Sequence, residues 1–153
     1  MSQPQSVQDL HNIISEYLEL FSEDTELNES HWDELDREIK NSPELQSLVP
    51  QLENSIREPG DLQLNSAAKL VNIRLPESMF VVEHGTEPQN INPGIATIVG
   101  PLHGTQRFWM RRAAGFAIVT IWNEQGPTLY YATKSRPMFV QSERGEGVWV
   151  PAN

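Results

Sequence analysis

The chain has 153 residues, no cysteine and a net charge of −10. Disulfide stapling, thiolate metal sites and cysteine nucleophiles are therefore excluded, and nucleic acid, whose phosphates ask for a positive surface, is a poor partner. A hydrophobic content of 38% with four tryptophans supplies a core, since a domain of about 150 residues hides roughly 70% of its unfolded surface.

The start, MSQPQSVQDL, has neither a basic stretch nor an apolar run. No signal peptide is expected, no apolar run approaches the ~20 residues of a membrane span, and the chain reads as cytoplasmic. Its charge is lopsided. Residues 1–60 carry 14 acidic and three basic side chains, whereas residues 61–153 carry seven and eight.

The first part reads as helical. Leu10, Ile13, Ile14, Tyr17, Leu18 and Phe21 recur at spacings of three and four, which places them on one helix face. Ser6 with Asp9 resembles a capping box, so this helix is predicted to start near Val7. SEDTELNES is the turn. Ser30 is expected to cap a second helix with Trp32, Leu35 and Ile39 inward. Ser42-Pro43-Glu44 opens a third, kinked or restarted at Pro50.

The Pro-Gly pair in REPGD, residues 57–61, marks the predicted boundary between an acidic helical lobe, 1–58, and a β-rich domain, 61–153. Residues 65–72 read as one short helix. After them come strand-like runs rich in β-branched and aromatic residues: SMFVVE, GIATIV, RFWMR, GFAIVTIW, TLYYAT, PMFVQ and GVWV. GFAIVTIW is apolar on both faces and should be a central, doubly covered strand, and NEQGP is a short hairpin connection. The expected fold class is α+β: an acidic N-terminal lobe of about three helices followed by a mainly antiparallel β-sheet or small β-barrel.

Two motifs could carry chemistry. In RFWMRR, an extended chain puts Arg107, Trp109 and Arg111 on one face. Such a face could grip a protein or hold a phosphate-bearing ligand. The excess of carboxylates in the helical lobe favours another role, a cationic seam in which Arg107, Arg111 and Arg112 face the acidic helices. The second motif is the tripeptide His-Gly-Thr, at His84 and again at His103, each in a turn where a glycine lets the backbone approach a ligand closely. The pair is similar to the His-x-Thr half-motifs of two-histidine phosphoesterases. VEHGTEPQNINPGIATIVGP also resembles the first strand and loop of the ADP-ribosyltransferase fold, and its NPG the loop of the rifampicin-modifying branch. That resemblance implies that His84 holds the nicotinamide ribose of NAD, that Tyr131, in TLYYAT, stacks on the nicotinamide, and that Glu146 steadies an oxocarbenium-like transition state. The chain departs from that family where KSRPMFVQ replaces the helix after the tyrosine strand.

The remaining signals fail. In DTELNESHWDEL, Glu29 stands where a calcium loop needs glycine and Leu35 where it needs a bidentate glutamate. His31 with Glu34 lacks a third ligand, and no phosphate loop, G-x-G-x-x-G or G-x-S-x-G is present. Neither a metal nor a cofactor is expected. The pattern therefore points to a non-enzymatic interaction or regulatory protein. Carboxylates along 23–38, among them Glu29, Asp33 and Asp36, would meet a protein partner with a basic surface, or an aromatic sheet face would meet a partner or a second copy. The alternative is a small enzyme of one of the two resembled classes.

Overall fold

The computed structural model describes residues 4–21, 25–113, 115–134 and 142–152. PMFVQ, Glu23 and Asp24 lie outside the described residues. Helix α1 spans Gln5–Leu18 and begins earlier than predicted. Pro4, in extended conformation, occupies the N-cap without a side-chain bond, so Ser6 is inside the first turn and forms no capping box. Helix α2 spans Glu29–Lys40 and is capped by Asn28 rather than Ser30. The Asn28 Oδ1 accepts from the backbone N–H of Ser30 at 3.0 Å, and His31 Nδ1 accepts from the N–H of Asn28 at 3.0 Å. A histidine thus takes the part that glutamate usually plays in a capping box.

Ser42 and Pro43 do open the third helical stretch, but its first part, Pro43–Leu48, is a 3-10 helix. The chain restarts as α3, Val49–Glu53, with Pro50 in the first turn, where its missing N–H leaves no bond unmade.

Among the described residues eight antiparallel strands follow and close into a barrel: β1 Ile56–Leu64, β2 Leu70–Arg74, β3 Ser78–Val81, β4 Asn90–Ile98, β5 Thr105–Ala113, β6 Phe116–Asn123, β7 Gly126–Lys134 and β8 Ser142–Pro151. The order around the barrel is β1-β2-β3-β8-β5-β6-β7-β4, and β4 pairs with β1 to close it. The fold is α+β, as expected, and closure removes the free sheet edges.

Three local expectations are corrected. Residues 57–61 do not break the chain but lie within β1. Pairing of β1 with β2 begins only at Asp61, so Pro59 sits where β1 has β4 alone beside it and its missing N–H is tolerated. Gly60 faces Gly94 across that pair. At Gly94 a Cβ would stand 2.5 Å from the Ala132 carbonyl oxygen and 2.8 Å from the Tyr131 hydroxyl, so this crossing needs a residue without one. The NPG of 92–94 is therefore strand, not loop. Nor do residues 65–72 form a helix: Asn65 Oδ1 accepts from the N–H groups of Ala67 and Lys69 and builds the β1–β2 hairpin turn.

Strand alternation divides the core in two. Inside the barrel, Leu62, Phe80, Phe108, Val119, Ile121, Tyr131 and their neighbours form one continuous buried cluster. Outside it, Phe116 and Ile118 of β6 and Tyr130 and Ala132 of β7 pack against Leu10, Ile14 and Leu18 of α1 and Trp32, Leu35 and Ile39 of α2. GFAIVTIW is thus covered on both faces, as its composition predicts.

Candidate protein-interaction site

The adjacent tyrosines of β7 point to opposite sides of the barrel wall. Inward, the Tyr131 hydroxyl lies 2.8 Å from the Gly60 carbonyl oxygen and 2.9 Å from that of Asn92, bridging the β1–β4 closure. Outward, the Tyr130 hydroxyl donates to Asp36 Oδ1 of α2 at 2.6 Å. Burial, then the Asp36 carboxylate, pushes the Tyr130 hydroxyl well above its ordinary pKa, so it remains a donor. Asp36 also accepts from Arg57 Nη2 at 2.8 Å through Oδ2, and Arg57 pairs with Asp33 as well. Arg57 stands at the start of β1, and these are the ion pairs found among the described residues. The electrostatic seam between acidic lobe and barrel is therefore made by Arg57, with Asp33 and Asp36 engaged inside the molecule, and not by Arg107 or Arg111.

Trp109 is only 4% exposed, because His11 of α1 stacks on it with ring centroids 4.1 Å apart. Arg111 donates to Ser15 Oγ of α1 at 3.4 Å. Arg107 is half-buried opposite Glu146 on β8 and Trp122 on β6, and these residues line a cavity of about 320 Å³ with the β6–β7 turn. The aromatic stripe that the sequence offers to a partner is thus largely covered by α1.

The helical lobe does carry an open groove. Ile13, Glu16 and Tyr17 of α1 with Leu20 just beyond it, Glu38 of α2 with Asn41 just beyond it, and Ser42 and Glu44 line a space of about 380 Å³. Leu20 is 74% exposed there, the most exposed large apolar side chain described. Glu16, Glu38 and Glu44 are exposed around it. Burial, then the Glu34 and Glu38 carboxylates, pushes the Tyr17 hydroxyl up to about 12. The Ser42 hydroxyl donates to Glu44 at 2.7 Å and holds that carboxyl below its usual range, so Glu44 stays charged. No basic residue occupies the last turn of α1, so Glu16 adds negative charge where the helix dipole is already negative. Glu29 is exposed at the opposite end, the first residue of α2.

Residues of the enzymatic alternative are not assembled. Tyr131 belongs to the barrel interior and its hydroxyl is taken by backbone carbonyls. His84, His103 and Glu146 are exposed. Val81 and Thr105 both partner Val148, on either side of β8, and the chain reaches His84 and His103 by leaving that level in opposite directions along the strand. Glu143 is structural: its carboxylate accepts from the Leu70 N–H at 2.8 Å. Among the described residues no group of three or more His, Asp and Glu is placed to hold a metal ion, and no helix is long and apolar enough to cross a membrane.

No protein-family model and no curated protein matches the chain. Among solved structures it is similar to the virulence-associated protein VapB from the intracellular pathogen Rhodococcus equi, with a TM-score of 0.50 and 15% sequence identity over 63% of this chain and 97% of that one. At that identity the likeness shows the fold alone.

Proposed function

We propose that this is a non-enzymatic interaction protein whose acidic helical lobe receives a basic, amphipathic segment of a protein partner, with the barrel as its scaffold. The observation that carries the reading is the groove joining exposed Leu20 to Glu16, Glu38 and Glu44. An apolar anchor within an acidic rim matches a segment that presents apolar and cationic side chains together. The filled barrel supports the scaffold role, because its interior is occupied by its own side chains. In this reading the helices up to Glu53 are the recognition lobe and the barrel from Ile56 onward is its support.

Affinity capture with the wild-type chain and with Leu20→Asp/Glu38→Lys tests the proposal, with bound proteins identified by mass spectrometry. The expected result is a basic partner that the wild type retains at low salt and that the double variant, still folded by circular dichroism, does not. A bound set indifferent to both the variant and salt would overturn it. Sedimentation of the purified chain separates a foreign partner from a second copy.

A further inference from the structure

Arg111 and Arg144 stand on the outer face of neighbouring strands. The β5–β8 register sets Trp109 opposite Arg144 and Arg111 opposite Ser142. The two guanidinium carbons lie 5.7 and 4.7 Å from the Trp109 ring centroid. Among the described residues neither meets a carboxylate, the ion pairs there belonging to Arg57. On a chain of net charge −10, two adjacent cations without a counter-ion repel each other, and the tryptophan ring offsets only part of that repulsion.

One of the five N–H donors of Arg111 reaches Ser15 Oγ of α1, at 3.4 Å. Ser142 Oγ accepts from Trp109 Nε1 at 2.9 Å, which leaves its own proton free to donate outward. His11, stacked on the ring, is fully buried, and neither of its nitrogens has a partner. Burial, then Arg111 and Arg144, holds the imidazole down to about 3, so at neutral pH it is uncharged and leaves the two arginines as the local charge.

We infer that Arg111, Arg144 and Ser142 form an anion site that takes a phosphoryl group. A phosphoryl group offers several acceptor oxygens and up to two negative charges, matching two guanidinium forks and a hydroxyl, whereas a carboxylate satisfies one fork. Trp109 is too covered for a nucleobase to stack on it. The ligand is accordingly free phosphate or a compact phosphomonoester, recognised by charge and hydrogen bonds.

The test titrates the full chain with sodium phosphate and, separately, with O-phosphoserine. Each is compared with sodium chloride at equal ionic strength, reading the thermal midpoint and tryptophan fluorescence. Both anions are expected to raise the midpoint beyond chloride, with saturation. Arg144→Gln, at an exposed position, should weaken the apparent affinity about tenfold, and Arg144→Lys less. Tighter binding of phosphoserine identifies an esterified ligand, and tighter binding of phosphate the free ion. A response equal to that of chloride, or one unchanged in both Arg144→Gln and Arg111→Gln, would overturn the inference.

Discussion

On β6 and β7 the outward side chains are Phe116, Ile118, Tyr130 and Ala132, and the helices bury them. On β5 and β8 the outward positions include Arg107, Arg111, Arg144 and Glu146, and solvent reaches all four in whole or in part. The two sectors share strand geometry and differ in the chemistry of alternate residues. The buried faces of α1 and α2 carry no carboxylate, so laying them on the second sector would desolvate guanidinium groups without compensation, and the lobe seats itself on the first. The edge of α1 reaches this boundary at Trp109, on whose ring His11 stacks, and at Arg111, which donates to Ser15 Oγ; the Arg144 guanidinium lies over the same ring.

The largest expected difference comes from emptying the covered sector. Phe116→Ala should cost about 3–5 kcal/mol in chemical denaturation, through lost burial and a cavity shared by lobe and barrel. A loss below about 1 kcal/mol would show that the helices do not depend on this face. Tyr130→Phe removes the bond to Asp36 while preserving the ring. A cost of about 1.5–3 kcal/mol is expected, as for hydrogen bonds to charged groups, with little change in spectroscopic helix content.

His11 gives the comparison a pH dependence. Its folded value lies near 3 against 6.5 in the unfolded chain. Below about pH 6.5 the unfolded state therefore binds a proton that the folded state refuses. Stability falls as pH drops through that window toward 3, by about 1.4 kcal/mol per unit. His11→Phe keeps a stacked ring without the titration, so urea midpoints of the variant and wild type should converge at pH 7 relative to pH 4.5, where the variant is the more stable. Parallel pH profiles would show that this imidazole is hydrated and charged. A smaller effect is expected from Arg57→Ala, about 1 kcal/mol and reduced by salt, because Asp33 is largely exposed and Asp36 keeps Tyr130. Arg144→Gln, in the open sector, should change stability by less than about 0.5 kcal/mol.

Much of the architecture could be read from the chain where both faces of an element spoke. GFAIVTIW is apolar at successive positions and had to be covered twice, and Trp32, Leu35 and Ile39 fixed the inner side of α2. β1 was hidden because Pro59 and Gly60 act as breakers in local sequence. Their tolerance depends on a missing β2 neighbour and on the Gly60–Gly94 crossing under Tyr131, both of which are tertiary facts. The same strand hid the electrostatic seam: Arg57 stood at an assumed boundary, while the arginines of RFWMRR drew attention by density. A signal for the groove existed in Leu20. It falls between Leu18 and Phe21 and off the α1 stripe, so an apolar residue there had no inward reason to be apolar. The meeting of Glu16 and Glu44 in one groove came only from the way the 3-10 helix returns beside α1.

A fragment intended to isolate the barrel must therefore include residue 56, since one starting at 61 would sever half of the β1–β4 closure. Even the longer fragment would expose Phe116, Ile118, Tyr130 and Ala132 to water.

That shared core also sets an order of events during synthesis. The apolar faces of α1 and α2 leave the ribosome about 100 residues before β6 and β7, the strands on which they come to rest. Until then Leu10, Ile14 and Leu18 can find only each other and α2, and the contacts that complete them span most of the chain. Folding through such distant pairings is slow, and the nascent helices present sticky surface throughout the wait. The exposed carboxylates of their outer faces give those unfinished chains like charge, which opposes their association.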